Sequence, residues 1–162
     1  MPPASLDAAA RFLAVRRLAI VGLSRQPKDF SRAVARELLG RGYEIVPVNP
    51  GAAGAHIEGV RALARLQDVR PPVEAALLLT SPGQTDAVLS DCVAAGVTRV
   101  WLHRGGGHGA ASPGALAFCA AHGLDVVHDL CPFMALPGAG LPHRLHGFLR
   151  TRLGGAAHQR AG

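Results

Sequence analysis

Apolar residues in this chain cluster in short unbroken runs separated by stretches with helical spacing. In the first stretch, Leu6, Ala9, Ala10 and Leu13 share one face behind a Ser5 cap, which predicts a short amphipathic helix over 5–15. Leu18 to Gly22 is the first compact run, and Ala33 to Leu39 returns to helical spacing before Gly40 and Gly42. Tyr43 to Val48 is a second run, ended by Asn49-Pro50-Gly51, and Val60 to Leu66 again carries helical spacing. Ala75 to Leu79 is the third, with a helix predicted from about 84 to 95 behind it. Val97 to Leu102 is the fourth, followed by a helix over 113–122. Leu124 to Val127 is the fifth.

Strands that are apolar throughout, rather than every second residue, suit a parallel sheet covered on both faces. The predicted fold class is therefore α/β: a Rossmann-like, doubly wound parallel sheet of about five strands in three α/β/α layers. Such sheets bind ligands beyond the carboxyl ends of their strands. The loops to inspect are 22–31, 49–54, 80–83, 103–109 and 128–132.

Composition narrows the class. In 162 residues, 49% are hydrophobic and 17% charged, which is enough for a core and unlike a disordered chain. Residues 1–153 are expected to form one domain, with 154–162 as a flexible tail. The longest apolar stretches are about half a dozen residues, short of the roughly 20 that a membrane span needs. The N-terminus has no cationic segment ahead of an apolar one, so a cytoplasmic protein is expected. Cys92, Cys119 and Cys131 contain no C-x-x-C pair and read as reduced thiols. The formal charge of +6 points to an anionic partner. The arginines are scattered and aromatics are only 4%, so no specific nucleic-acid reader is expected.

The first loop joins a strand to a helix N-terminus, where free N–H groups and the helix dipole attract phosphate. Ser24, Arg25, Lys28 and Ser31 add donors and charge there, while Gly22 and Ser31 would also serve a plain turn and cap. A dinucleotide fingerprint would need two further glycines, and an acid at the end of the second strand for the ribose. The chain has Gly22-Leu23-Ser24 and Val48-Asn49-Pro50 instead, which disfavours NAD; a Walker loop is also missing.

The succession Ala19-Ile20-Val21-Gly22-Leu23-Ser24, Tyr43 to Pro50, the strand before Ser81-Pro82, Val100-Trp101-Leu102, and Ala120 to Val127 resembles small CoA-binding domain proteins, stand-alone relatives of the N-terminal half of a succinyl-CoA synthetase α subunit. The resemblance covers roughly residues 7–135. It implies coenzyme A or an acyl-CoA as ligand, with Gly22, Ser24, Arg25, Lys28 and Ser31 toward its phosphates and Asn49 and Pro50 near its adenosine. It also implies that Thr80, Ser81 and Pro82 flank the ligand and that His103 and Arg104 line the later path. A cleft of Arg25 and Lys28, with Arg32 or Arg104 beside them, would suit the phosphate charge. Ligase relatives use a histidine in a second domain that this chain has no length to build, so a non-catalytic binding protein is expected. The chain departs from the family in the Arg104-to-Gly109 run and in the extension after Cys131-Pro132.

Two other readings stand beside this one. One is an NAD-type nucleotide binder. The other is a metal- or cysteine-dependent enzyme using His128, Cys131, His143 and His146, since His143-x-x-His146 can place two imidazoles on one helical face. No recognised ligand spacing completes such a set. Residues 133–142 are apolar and should lie against something, and 143–153 can form a cationic helix that covers the pocket or makes a homodimer contact.

Overall fold

The computed structural model describes residues 4–103 and 110–138. The first strand, β1 (Arg17–Val21), lies inside the main sheet and is buried from Leu18 onward. It pairs in parallel with β2 (Glu44–Val48) on one side and β5 (Ala75–Leu78) on the other. β6 (Arg99–Leu102) and β7 (Asp125–His128) continue the sheet, giving the order β2-β1-β5-β6-β7 with every pair parallel. The five strands are those predicted from the apolar runs, and the architecture is a three-layer Rossmann-like α/β fold.

Alternate residues of each strand feed two cores. Leu18, Ile20, Ile45, Ala75, Leu77, Trp101 and Val127 face α1 (Ala4–Leu13), α2 (Phe30–Gly40) and the single-turn α5 (Pro132–Ala135). Ala19, Val21, Val46, Ala76, Leu78, Val100 and Leu102 face α3 (Pro82–Ala94) and α4 (Pro113–Ala121). Each large aliphatic side chain buried here contributes about 1.5–3 kcal/mol. Trp101 does more than fill space: its ring meets Phe12 edge-on at 5.3 Å, and its Nε1 donates to Leu130 O at 2.9 Å, pinning the loop after β7. Among the described residues, no helix is long and apolar enough to cross a membrane.

Two expectations need correcting. Helix α1 buries Ala8, Ala9 and Phe12, whereas Leu6 and Ala10 are exposed and Leu13 is only partly buried. The helix turns its small alanines toward the sheet so that Phe12 can reach Trp101. The stretch 60–65 is not helical, and Leu66 only opens a single 3-10 turn, Leu66–Asp68. β3 (His56–Ile57) and β4 (Val60–Arg61) form an antiparallel hairpin, and Leu63 bridges in parallel to Val48. Leu63 N donates to Pro47 O at 2.9 Å and Leu63 O accepts Asn49 N at 2.9 Å, so pairing beside β2 wins over local spacing in a run too short to decide by itself. Pro47 is tolerated because β2 is an edge strand of the main sheet.

Candidate functional site

The chain direction across the sheet reverses between β1 and β5, so a doubly wound fold opens its crevice beyond those two strands. Gly22 stands at this point. Its φ of +88° lies in the left-handed region, and a Cβ built on it would sit 2.7 Å from Leu79 O. Its N–H donates to Val48 O at 2.9 Å, while Leu79 N donates to Val21 O at 2.9 Å. Three strand ends are thereby drawn together, with a spacing that only glycine permits.

From Gly22 the chain runs through a loop that is tied to itself. Ser24 N donates to Ser31 Oγ at 3.0 Å, and Ser24 Oγ accepts Gln26 N at 3.0 Å. Ser31 is buried, and its hydroxyl and its N–H both donate to Asp29 Oδ1, at 2.6 and 2.8 Å. Asp29 is therefore the N-cap of α2, and its carboxylate already complements the helix dipole. The Ser31 hydroxyl is spent inside the loop.

Arg25 and Lys28 are both exposed, and neither side chain has a partner among the described residues. Arg32 differs from them. Its Nε and Nη2 each lie 2.7 Å from Glu58 Oε1, and Nη1 donates to Arg25 O at 2.9 Å. Glu58 was not anticipated as part of this region, although Ile57-Glu58-Gly59-Val60 carries the x-Gly signal of a two-residue hairpin turn.

Around this loop the other strand ends contribute. Asn49 uses both ends of its amide: Nδ2 donates to Leu23 O at 3.1 Å and Oδ1 accepts Gly51 N at 2.9 Å, capping the 3-10 turn Pro50–Ala52. Thr80 is buried with its Oγ1 2.8 Å from Thr85 Oγ1, and Thr85 in turn donates to Ser81 O at 3.1 Å. The Thr85 proton being so engaged, Thr80 donates and keeps its lone pairs free. Ser81 heads α3 with no side-chain cap bond, and Pro82 occupies the first helical position, where its missing N–H is no loss.

At the end of β6, His103 stacks on Phe30 with centroids 4.8 Å apart and planes 14° apart, and Phe30 meets Phe133 edge-on at 5.7 Å. The His103 Nδ1 is buried without a hydrogen-bond partner, and burial pushes the imidazole below its ordinary pKa. At the end of β7, His128 Nδ1 lies 2.8 Å from Asp129 Oδ2, and half-buried Cys131 precedes α5. Among the described residues, no group of three or more His, Cys, Asp or Glu side chains gathers as a metal site would. Arg104, His143, His146 and the expected C-terminal helix lie outside the described residues.

The model of the family described as "CoA binding domain" matches residues 16–137. The chain belongs to that family. This CoA-binding domain is 28% identical over 116 residues to the Bacillus subtilis (strain 168) protein YneT, covering 72% of this chain and 82% of that one. A solved structure from Thermus thermophilus superposes with a TM-score of 0.72 at 26% identity, over 80% of this chain and 95% of that one. A conserved hypothetical protein from Pyrococcus furiosus gives a TM-score of 0.64 at 26% identity, over 72% and 95%. The acetyl-coenzyme A synthetase of Ca. Korarchaeum cryptofilum shares the fold, with a TM-score of 0.59 at 23% identity. This chain spans a quarter of that enzyme's length.

The crevice fits CoA in part of its donor set. Arg25 and Lys28 supply positive charge that is unpaired among the described residues, α3 supplies an N-terminus without a side-chain cap bond, and Gly22 lets the ends of β1 and β5 close up beneath it. The Asp29 carboxylate opposes a phosphate at α2 itself.

Proposed function

We propose that this protein binds coenzyme A or an acyl-CoA and performs no chemistry of its own. The phosphates are held by Arg25 and Lys28 with the backbone of the loop after β1, and the adenosine lies by Asn49 and Pro50. Thr80, Ser81 and Pro82 flank the ligand, and the path continues past His103 and Arg104. Residues 1–153 act as one domain. The observation that carries this reading is the presence, at the reversal point of the sheet, of two cations without partners among the described residues, in a chain whose family is named for CoA binding.

Within this reading, the residues bind and orient. Arg25 and Lys28 neutralise phosphate charge, and their exposed position makes that contribution salt-dependent. Thr80 offers lone pairs to a ligand donor. NAD is disfavoured because β2 ends in Val48-Asn49 with no carboxylate for a ribose, and the Asn49 amide is already engaged on both sides.

Titration calorimetry with CoA, acetyl-CoA, NAD and ATP tests the proposal. A CoA isotherm with little or no heat from NAD is expected. A clear NAD isotherm with no heat from any CoA species would turn the reading toward a dinucleotide binder.

A further inference from the structure

Glu58 occupies a conformation that its residue type disfavours. It has φ +50° and is followed by Gly59 at φ +79°, so the tip of the β3–β4 hairpin is a two-residue turn with left-handed torsions at both positions. Such turns favour Asn, Asp or Gly first, and a glutamate there holds a strained backbone. What the glutamate adds is its carboxylate. Oε1 receives Arg32 Nε and Nη2 at 2.7 Å and Arg36 Nε at 2.9 Å, and the Glu58 and Arg32 side chains are both largely buried, at 18% and 12% exposure.

With two of its nitrogens on Glu58, Arg32 turns the third toward the loop after β1. Nη1 donates to Arg25 O at 2.9 Å and lies 3.4 Å from Ser24 O. A trans peptide points its C=O and its N–H in opposite directions, so a carbonyl gathered by Arg32 sends the following N–H away from it. The Arg25 N–H is one of these, and it has no acceptor among the described residues.

We infer that Glu58 is a positioning residue for the ligand's phosphates: through Arg32 it sets the peptide planes of residues 24–26, whose Ser24 and Gln26 N–H groups are held by Ser31 Oγ and Ser24 Oγ, so that the free Arg25 N–H and the Arg25 side chain meet an anion. The role rests on the CoA reading for its ligand, but the ordering of the loop stands apart from any ligand. Charge alone predicts the opposite behaviour. Glu58 is an acid beside a site for a polyanion, so its neutralisation would tighten CoA if it acted only through its field. A positioning role requires that neutralisation weaken CoA.

The test compares wild type with Glu58→Gln, Glu58→Gly, Arg32→Lys and, as control, Glu44→Gln at the opposite end of the sheet. Glu58→Gly relieves the left-handed strain while removing the carboxylate, which guards against a merely unfolded variant. CoA affinity measured by calorimetry is expected to fall about tenfold or more in the first three, the scale of one charge-assisted hydrogen bond, and to hold in Glu44→Gln. Without ligand, hydrogen exchange at the amides of Ser24 and Gln26, which donate to Ser31 Oγ and Ser24 Oγ, is expected to speed up in both Glu58 variants while the melting temperature of Glu58→Gly holds. Unchanged exchange, or equal or tighter CoA binding by Glu58→Gln, overturns the inference. If wild type itself binds no CoA species, the ligand reading alone is lost, and the exchange rates still uphold or overturn the ordering of the loop by Glu58.

Discussion

Arg11 of α1 grips Asp125, the first residue of β7, through two hydrogen bonds: Nε to Oδ2 at 2.7 Å and Nη2 to Oδ1 at 2.9 Å. Planar, two-point pairing of this kind fixes orientation as well as distance. It locks the N-terminal helix across the far edge of the sheet, on the side where Phe12 reaches Trp101.

The pair makes stability pH-dependent in a defined direction. The hydrogen bonds from Arg11 hold the Asp125 carboxyl below the ordinary aspartate range; partial burial opposes this, and the charges of Arg11 and Arg99 assist. A carboxylate whose folded pKa is depressed stabilises the fold above its unfolded value, about 3.9, and that stability is lost as pH falls through the folded value. Urea unfolding should therefore show Asp125→Asn less stable than wild type at pH 7, with the gap closing only below about pH 4. A gap that stays constant down to acid unfolding would remove the ion pair as its cause.

Gly22→Ala should destabilise the protein by more than about 2 kcal/mol, because the new methyl group meets a backbone oxygen and the residue must hold a left-handed φ. Denaturant midpoints check this, with Gly40→Ala as the mild comparison, since a Cβ there meets nothing within 4 Å.

Charge at the loop after β1 should tune CoA affinity with opposite signs at two nearby positions. Lys28→Glu should weaken binding, and the loss should shrink at high salt. Asp29→Asn keeps a competent helix cap and removes the negative charge at α2, so it should tighten binding a few-fold. Calorimetry at two salt concentrations reads both; an unchanged affinity in Lys28→Glu would take that residue out of the site.

The three thiols should separate by reactivity. Burial pushes Cys92 up to about 12 and Cys119 up to about 11, so neither presents thiolate at pH 8. Mass spectrometry after brief alkylation of native protein should find Cys131, the half-buried thiol, modified first. Modification of Cys92 on the same timescale would contradict the packing between α3 and α4.

Four of the strands were legible because each carries an unbroken apolar run that is buried on both faces, whereas the edge strand β7 (Asp125–His128) shows only Val126 and Val127 between polar ends and buries Val127 alone. The face of α1 was not legible. Leu6 is the more hydrophobic residue, yet the sheet takes Ala8 and Ala9, whose small side chains let the backbone approach. The stretch 60–66 misled for a related reason: its partner is the end of β2, many residues away, and no local spacing reports it. At the site, Gly22 and the exposed cations could be found by position in the fold. The commitment of Ser31 to Asp29, and of Arg32 to Glu58, depends on which donors meet which acceptors in space, and the order of residues does not disclose it.

The interior place of β1, between two strands that follow it in the chain, has a consequence for how the chain comes off the ribosome. Its register partners are Glu44 to Val48 on one side and Ala75 to Leu78 on the other, all of them synthesised later. At about 5–20 residues per second, the flank that will meet β5 waits about 3–10 s for it. Throughout that interval the β5-facing edge of the apolar run Leu18 to Val21 lacks its strand partner. A nascent chain of this protein is thus most exposed to mispairing in mid-synthesis, and the danger ends once β5 emerges.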